Sequence, residues 1–315
     1  MDQLESMRAF ATVAREGGFS AASRALGMPL PTVSRKVAEL ETSLGVRLLV
    51  RTTRNVSLTD PGKTYYAACK RILDDLRDAD EEVGGEYRSP RGELTITASI
   101  GFGRQHLQPI VHEFLAAYPQ IDVSLVMVDR VVDLVEDHVD CAVRIAQLPD
   151  SSLVAKPLGH IQMMVVASPA YLKRAGTPIR PDELLNHHCI SWTTLGPYRA
   201  WGFCDGAGDK SAIELVPIKV RLSTTSPDSA VLAALDGVGL LQATSYQVEK
   251  YLRTGELVAV LREFEAPPVP VSLVYASQRI LSLKLRAFLD FAAPRLTSRL
   301  TEISSVVSST KKKSK

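Results

Sequence analysis

The chain is predicted to be α/β overall: a helical head bearing a small hairpin, a long connecting helix, and a larger region of alternating strands and helices. Three observations predict this. Two short amphipathic segments flank a glycine turn within residues 19–44, a heptad-like apolar repeat runs from 65 to 83, and from Leu94 onward short apolar strands alternate with helical segments. The 315 residues are 45% hydrophobic and 23% charged, a globular composition with length for more than one core.

In the head, the first short helix is expected to begin at Ser20, whose hydroxyl can cap open backbone amides while Phe19 packs behind it. Gly27 supplies a left-handed stop, and Pro29 and Pro31 hold the connection open. The second helix spans about Pro31 to Leu44. Its Val33, Val37, Leu40 and Leu44 recur four, three and four apart, one buried stripe ended by Gly45. That stripe turns Pro31, Ser34 and Arg35 outward. An arginine there can make a forked pair of hydrogen bonds to guanine or grip phosphate, and a serine serves either phosphate or base edges. The next stretch, RLLVRTTRNVSLTDPG, alternates apolar and polar residues like a two-stranded wing. Between residues 24 and 54, Arg24, Arg35, Lys36, Arg47, Arg51 and Arg54 stand against Glu39 and Glu41, a surplus of four in a chain of net charge +2. Cations concentrated on a two-helix unit are what phosphate neutralisation needs, so the segment reads as a DNA-binding head rather than a solvated helix face.

Residues 60–83 form the next expected helix, with Tyr65, Cys69, Ile72, Leu76, Ala79 and Val83 alternating four and three apart. A lone helix cannot bury such a seam, so a partner helix and a homodimer follow, with half-sites related by a two-fold axis. Its acidic second half, DDLRDADEE, reads as a solvated face. Gly84, Gly85, Ser89, Pro90 and Gly92 mark a linker, and a second region starts near Arg91. There Leu94, Ile96 and Ala98 alternate as a strand, and a helix carrying Leu107, Ile110, Val111, Phe114 and Leu115 is stopped by Pro119. A strand over 121–128, a short helix around Leu134 and the strand CAVRI follow. The alternation calls for a mostly parallel sheet covered by helices, in a region large enough for two subdomains.

Other chemistries find little footing. His187, His188 and Cys189 are adjacent, and adjacent residues seldom aim at one metal without further ligands at suitable spacing. Cys69, Cys141, Cys189 and Cys204 contain no CxxC pair and suit a reducing compartment, as buried inert thiols. The chain has no phosphate loop, GxSxG elbow or dinucleotide fingerprint, and Gly101 and Gly103 do not make one, so neither an enzyme nor a bound cofactor is expected. No apolar run approaches a membrane span, and Arg8 and Glu16 bracket an amphipathic rather than a signal-like start, so a cytoplasmic protein without membrane contact is expected. The end, SSVVSSTKKKSK, reads as a disordered basic tail over 301–315.

From Met1 to about Val83, the stretches MDQLESMRAFATVAREGGFSAASRALG, TVSRKVAELETSLGVRLLVRTTR and SLTDPGKTYY resemble, in order and spacing, the winged helix-turn-helix and linker helix of LysR-type transcriptional regulators. The resemblance implies DNA contacts at Pro31, Ser34, Arg35, Arg51 and Arg54, with Ser20, Ala21, Ala22, Thr32, Lys36 and Thr52 beside them. Leu30 departs from it, standing where many members carry a polar side chain, and Leu49 replaces a wing phenylalanine. Further on, LTITASIGFG, DLVEDHVDCAVRI, ASPAYLKRAGTP and ALDGVGLL are similar to the family's two-lobed, periplasmic-binding-protein-like (type 2) effector domain, extending the match to about residue 295. The implied organisation is a winged helix-turn-helix over 1–59, a linker and dimerisation helix with hinge over 60–90, and an effector domain over 91–300. In the last, lobe 1 takes about 91–161 and 268–300 and lobe 2 about 162–267.

The implied effector positions are Ser99, with Gly101 and Phe102 beside it, and Thr225 and Ser226 at a helix start, where a hydroxyl beside open amides suits a carboxylate or other polar group. Arg144 and Trp192 would add a cation and an aromatic wall, and Gln242 and Ala243 replace a common leucine-proline pair. The expectation is a regulator whose grip on double-stranded operator DNA responds to a small-molecule effector. A dimer of dimers is implied as its assembly, and RNA polymerase is implied as a partner where it activates. The alternative is a small-molecule-binding protein or enzyme with a vestigial head.

Overall fold

The structure, a computed structural model, describes residues 2–51, 56–83, 89–149, 152–192, 199–204, 213–277 and 281–312. It divides into two compact units, Met1–Gly92 and Glu93–Lys315.

The first unit opens with α1 (Gln3–Glu16), capped by the Asp2 carboxylate accepting from the Glu5 amide at 3.2 Å and ended by Gly17 in the left-handed region. Then come α2 (Phe19–Leu26), α3 (Leu30–Leu44), the antiparallel strands β1 (Leu49–Arg51) and β2 (Val56–Leu58), and α4 (Asp60–Val83). The start of α2 differs from expectation: Gly18, in extended backbone, is the cap, and Ser20 lies inside the first turn. A glycine N-cap costs only a few tenths of a kcal/mol relative to serine, so Phe19 is free to start the helix. In α3, Val33, Val37 and Leu40 are fully buried with Met7, Phe10, Val13 and Leu48, whereas Leu44, the last member of the expected stripe, is exposed at the helix end.

The seam of α4 is divided. Cys69 is buried in the head core and Tyr65 packs on Phe10 (centroids 5.8 Å apart), while Ile72 and Leu76, one and two turns further on, are exposed. The first half of the repeat therefore serves its own head. The side chains of Ala79 and Val83 lie outside the described residues. Gly62, in the first turn of α4, permits the close approach of the wing: a Cβ there would lie 2.0 Å from the Leu48 carbonyl oxygen.

The second unit holds two five-stranded sheets. The first uses β3 (Gly92–Ala98), β4 (Ile121–Met127), β5 (Cys141–Ile145), β6 (Leu153–Ile161) and the late strand β14 (Val269–Ala276), in the order β4-β3-β5-β14-β6. The second uses β7 (Met163–Ala167), β8 (Cys189–Trp192), β11 (Val220–Thr224), β12 (Leu240–Thr244) and β13 (Val258–Val260), in the order β11-β8-β12-β7-β13. Between β8 and β11 stands an antiparallel ribbon of β9 (Ala200–Cys204) and β10 (Ile213–Pro217). The helices are α5 (Ile100–Phe102), continued by a π-turn over Gly103–Leu107 into α6 (Gln108–Ala117), then α7 (Pro169–Ala175), α8 (Pro227–Leu235), α9 (Ser245–Thr254) and α10 (Leu283–Lys312).

The sheets are mixed rather than mostly parallel. β3 and β5 run parallel, as do β8 and its neighbours β11 and β12, but β14 is antiparallel to both β5 and β6, and β7 to both β12 and β13. The reason is connectivity: the chain leaves the first lobe along β6, enters the second through β7, and returns along β14 to fill a central place in the first sheet. No helix forms around Leu134. The Asp133 carboxylate caps the amides of Val135 and Glu136 at 2.8 and 3.0 Å, but the turn ends at His138, whose φ is 55°. The expected disordered tail is corrected up to Lys312. Residues 301–312 continue α10, because Leu300, Ile303 and Val307 recur at helical spacing and are buried despite the serine and lysine content around them.

Candidate DNA-reading surface and effector cleft

The outer face of α3 presents Pro31 and Arg35 exposed, with Thr32 and Ser34 half-buried beside them. The Arg35 guanidinium is two-thirds exposed and meets Glu39 one turn on at 3.3 Å. An exposed pair of this kind contributes about 0.3–0.5 kcal/mol, so it orients the arginine without occupying it. Lys36 is different. Its ammonium pairs with Glu5 of α1 and is largely covered, so it fastens α3 to α1. Ala22 is fully buried in the head core, Ala21 is half-buried and Ser20 exposed. Burial removes Ala22 from any direct contact with DNA. Exposed Leu30 puts an apolar side chain beside Pro31. The wing is joined to α3 by Glu41, whose Oε1 accepts from the Leu48 and Leu49 amides at 2.8 and 3.0 Å. Thr52, Arg54 and the side chain of Arg51 lie outside the described residues.

In the second unit the two lobes meet around Tyr246, near the start of α9 and packed into the lobe 1 core. Its hydroxyl is directed at the buried hydroxyls of Ser99 and Thr244. Burial pushes the Tyr246 phenol up, and those two hydroxyls offset part of the rise. A Cβ at Gly101 would stand 3.2 Å from the same hydroxyl oxygen. Phe102 is wholly buried, edge-on to Tyr246 at 5.4 Å, and is a core residue rather than a ligand contact.

Across the lobes, Arg104 pairs with Asp228 of α8. Ser226 caps α8, accepting from the Ser229 amide at 3.3 Å, while its own amide donates to Thr224 Oγ1 at 3.1 Å; Thr225 is exposed. The expected open amides are thus partly used: the Ile100 amide donates to Asp129 Oδ1 at 3.0 Å. Trp192 is half-buried and donates from Nε1 to the Gln242 carbonyl oxygen at 3.1 Å, and the Gln242 side chain holds Gly202 of β9 at 3.3 Å. Arg144 donates to the Val132 carbonyl oxygen, bracing the 131–139 loop. The structure therefore brings Ser99, Gly101 and the α8 start around Tyr246 and leaves Arg144 in a structural contact.

Sequence reasoning missed Tyr246, Asp129 and the Arg104–Asp228 pair. No local pattern marks them, since their partners lie 29 to more than a hundred residues away. The cysteines are free and buried, and burial pushes the Cys69 and Cys189 thiols up to about 12. Their thiolate fraction, and with it their reactivity, is small. His187 is buried against the Tyr171 hydroxyl at 3.2 Å, and the His188 amide donates to that oxygen at 2.9 Å. Among the described residues no helix is long and apolar enough to cross a membrane.

A winged helix-turn-helix ahead of a two-lobed α/β domain defines a DNA-binding regulator with an effector-binding domain. Residues 4–63 match the bacterial regulatory helix-turn-helix protein, lysR family, and residues 88–297 match the LysR substrate binding domain. The chain belongs to the LysR family of transcriptional regulators. It is 37% identical over 287 residues to an HTH-type transcriptional regulator of Xanthomonas campestris pv. campestris (strain 8004), covering 91% of this chain and 83% of that one. Among solved structures, it resembles CrgA, a LysR-type transcriptional regulator from Neisseria meningitidis (TM-score 0.59, 33% identity, 93% of this chain and 98% of that one). It also resembles the full-length Vibrio cholerae virulence activator AphB (TM-score 0.58, 27% identity, 92% and 98%).

Proposed function

We propose that α3 reads operator DNA through Pro31, Thr32, Ser34 and Arg35, with Ser20, Ala21 and the wing residues Arg51, Thr52 and Arg54 on the flanking backbone, and that Ser99, Gly101, Thr225 and Ser226 hold a small-molecule effector in the interlobe cleft. The observation that carries this reading is the exposed Arg35 guanidinium on a helix face whose opposite stripe, Val33, Val37 and Leu40, is fully buried. Lys36 is assigned to the head's own stability. Exposed Ile72 and Leu76 support a homodimer through α4, and two such dimers make the tetramer that the family implies. The protein works in the cytoplasm as a regulator and not as an enzyme, and contacts RNA polymerase where it activates.

The test is capture of fragmented genomic DNA from the source organism by the purified chain, run beside Arg35→Ala and Ser99→Ala. Arg35→Ala should lose the captured sites, a cost of about 1–3 kcal/mol per bidentate contact, and Ser99→Ala should keep them. Equal affinity of Arg35→Ala and the native chain would remove α3 from the reading surface.

A further inference from the structure

Helix α10 belongs to both lobes. From Leu285 to Ile303 it fills the core of lobe 1 with Phe288, Ala292, Leu296 and Leu300. One turn later Val307 enters the core of lobe 2 beside Val248 and Leu252, and its carbonyl oxygen accepts from Arg262 Nη2 at 3.1 Å. Arg262 is in turn paired with Glu265 at 2.7 Å, both side chains being about nine-tenths covered. Between these two anchorages Arg299 reaches across to α9. Its Nη2 pairs with Oε1 of Glu249, which is 3% exposed, its Nε donates to Nδ1 of buried His106 at 3.4 Å, and its Nη1 meets Glu302 at 3.1 Å.

Only two strands of chain otherwise join the lobes, around Gln162 and around Ala266, and Gln162 ties them together. Its side chain donates to the Ala266 carbonyl oxygen at 2.6 Å, its amide to Ser245 Oγ at 3.1 Å, and its carbonyl oxygen accepts from the Ser245 amide at 2.7 Å. This is the geometry of a hinge, and domains joined by a hinge open and close unless something else spans them. Besides Tyr246 and the Arg104–Asp228 pair, the end of α10 spans them, on a segment past residue 297, where the match to the family's effector domain stops.

We infer that Arg299, Glu249 and Val307 are positioning residues for the effector cleft, fastening α10 across the hinge as a strap that sets the interlobe aperture. Resting on the cleft reading, it joins strap to ligand through α9. That helix carries Tyr246, directed at Ser99, one turn before Glu249, so a ligand that shifts the start of α9 pulls on the ion pair. A buried carboxylate left without its cation is costly, so the pair resists separation in either direction.

Hydrogen exchange of the full chain, without ligand, tests the strap. Val307→Asp, and separately a chain ending at Ser304, should speed exchange of the Gln162 and Ser245 amides about tenfold while the Val143 and Val274 amides inside the lobe 1 sheet keep their native rates. Glu249→Gln and Arg299→Gln should each speed the hinge amides, and the double variant should be no faster than the faster single one, the signature of one shared contact. Unchanged hinge exchange in both the truncated chain and Val307→Asp would overturn the strap, as would equal acceleration in the sheet, which marks general loosening. Because no effector is present, a failed strap is seen separately from a failed Ser99→Ala test.

Discussion

The head keeps Pro31, Thr32, Ser34 and Arg35, four of its proposed reading residues, within five positions of one helix, whereas the proposed effector site is assembled from the end of β3, the residue Asp129 beyond β4, and the starts of α8 and α9. In the head a single amphipathic stripe decides which side chains face out, so burial and exposure alternate with the helical period and the functional face is whatever the core does not claim. In the effector region facing residues are supplied by topology, as in the Ile100–Asp129 and Arg104–Asp228 pairs, which join residues far apart in sequence. The surface proposed for DNA is thus built by leaving side chains exposed, and the site proposed for a small molecule by engaging residues distant in sequence with one another.

The widest separation between the two regions should come from Phe10→Ala. Phe10 is fully buried against Tyr65 and Tyr66, and losing its ring costs about 3–5 kcal/mol. Calorimetry and DNA retention measured together should show the head melting early and operator binding lost, with the main transition of residues 93–315 in place. A joint shift of both transitions would break the comparison by showing one cooperative unit.

The next effect belongs to the effector region. Burial, and then the Arg299 guanidinium, bring the His106 imidazole down to about 4, while in the unfolded chain it titrates near 6.5. As pH falls the unfolded state takes up the proton first, so stability that is complete above 6.5 drains between about 6.5 and 4, by up to about 3 kcal/mol. Urea unfolding of the native chain and His106→Gln over that range checks it: the variant should show the shallower slope, and equal slopes would assign the acid sensitivity elsewhere.

A smaller contrast lies inside the head. Lys36→Gln should lower head stability by about 1 kcal/mol or less and leave the salt dependence of DNA binding alone, whereas Arg35→Gln should leave stability alone and reduce the salt slope by about one ion. Salt titrations that place both residues in the same class would erase the distinction drawn from their exposure. Smallest in stability is Leu30→Gln, within about 0.5 kcal/mol of the native chain, since Leu30 is already exposed. Its readout is operator preference, because the amide restores hydrogen bonding at a position now apolar.

The order in which these residues were legible follows the same physics. Gly27, Gly45, the Val33–Val37–Leu40 stripe and the wing were readable because caps and helical periods act over a few residues. The pairing of Lys36 with Glu5 was not readable, since the two lie 31 residues apart. The seam of α4 was read as one interface, yet its first half is claimed by Phe10, a contact no periodicity announces. Ser99 was legible as a hydroxyl at the start of a helix. Tyr246, packed beside Ser99, was not, because α9 lies more than a hundred residues beyond α5 and only the tertiary fold brings the two together. The serine-rich end of the chain has the composition of a tail, whereas the spacing of Leu300, Ile303 and Val307 is that of a helix with one buried face.

Glu41 is a small feature with a wide consequence. By holding the Leu48 and Leu49 amides from the last turn of α3, it limits the freedom of the two elements to adjust separately when they meet a duplex. The helix proposed to read base edges and the hairpin beside it are thereby coupled. On the proposed reading a coupled pair would respond to groove width as well as to sequence, so an operator with the right bases but the wrong shape would be disfavoured at both elements together.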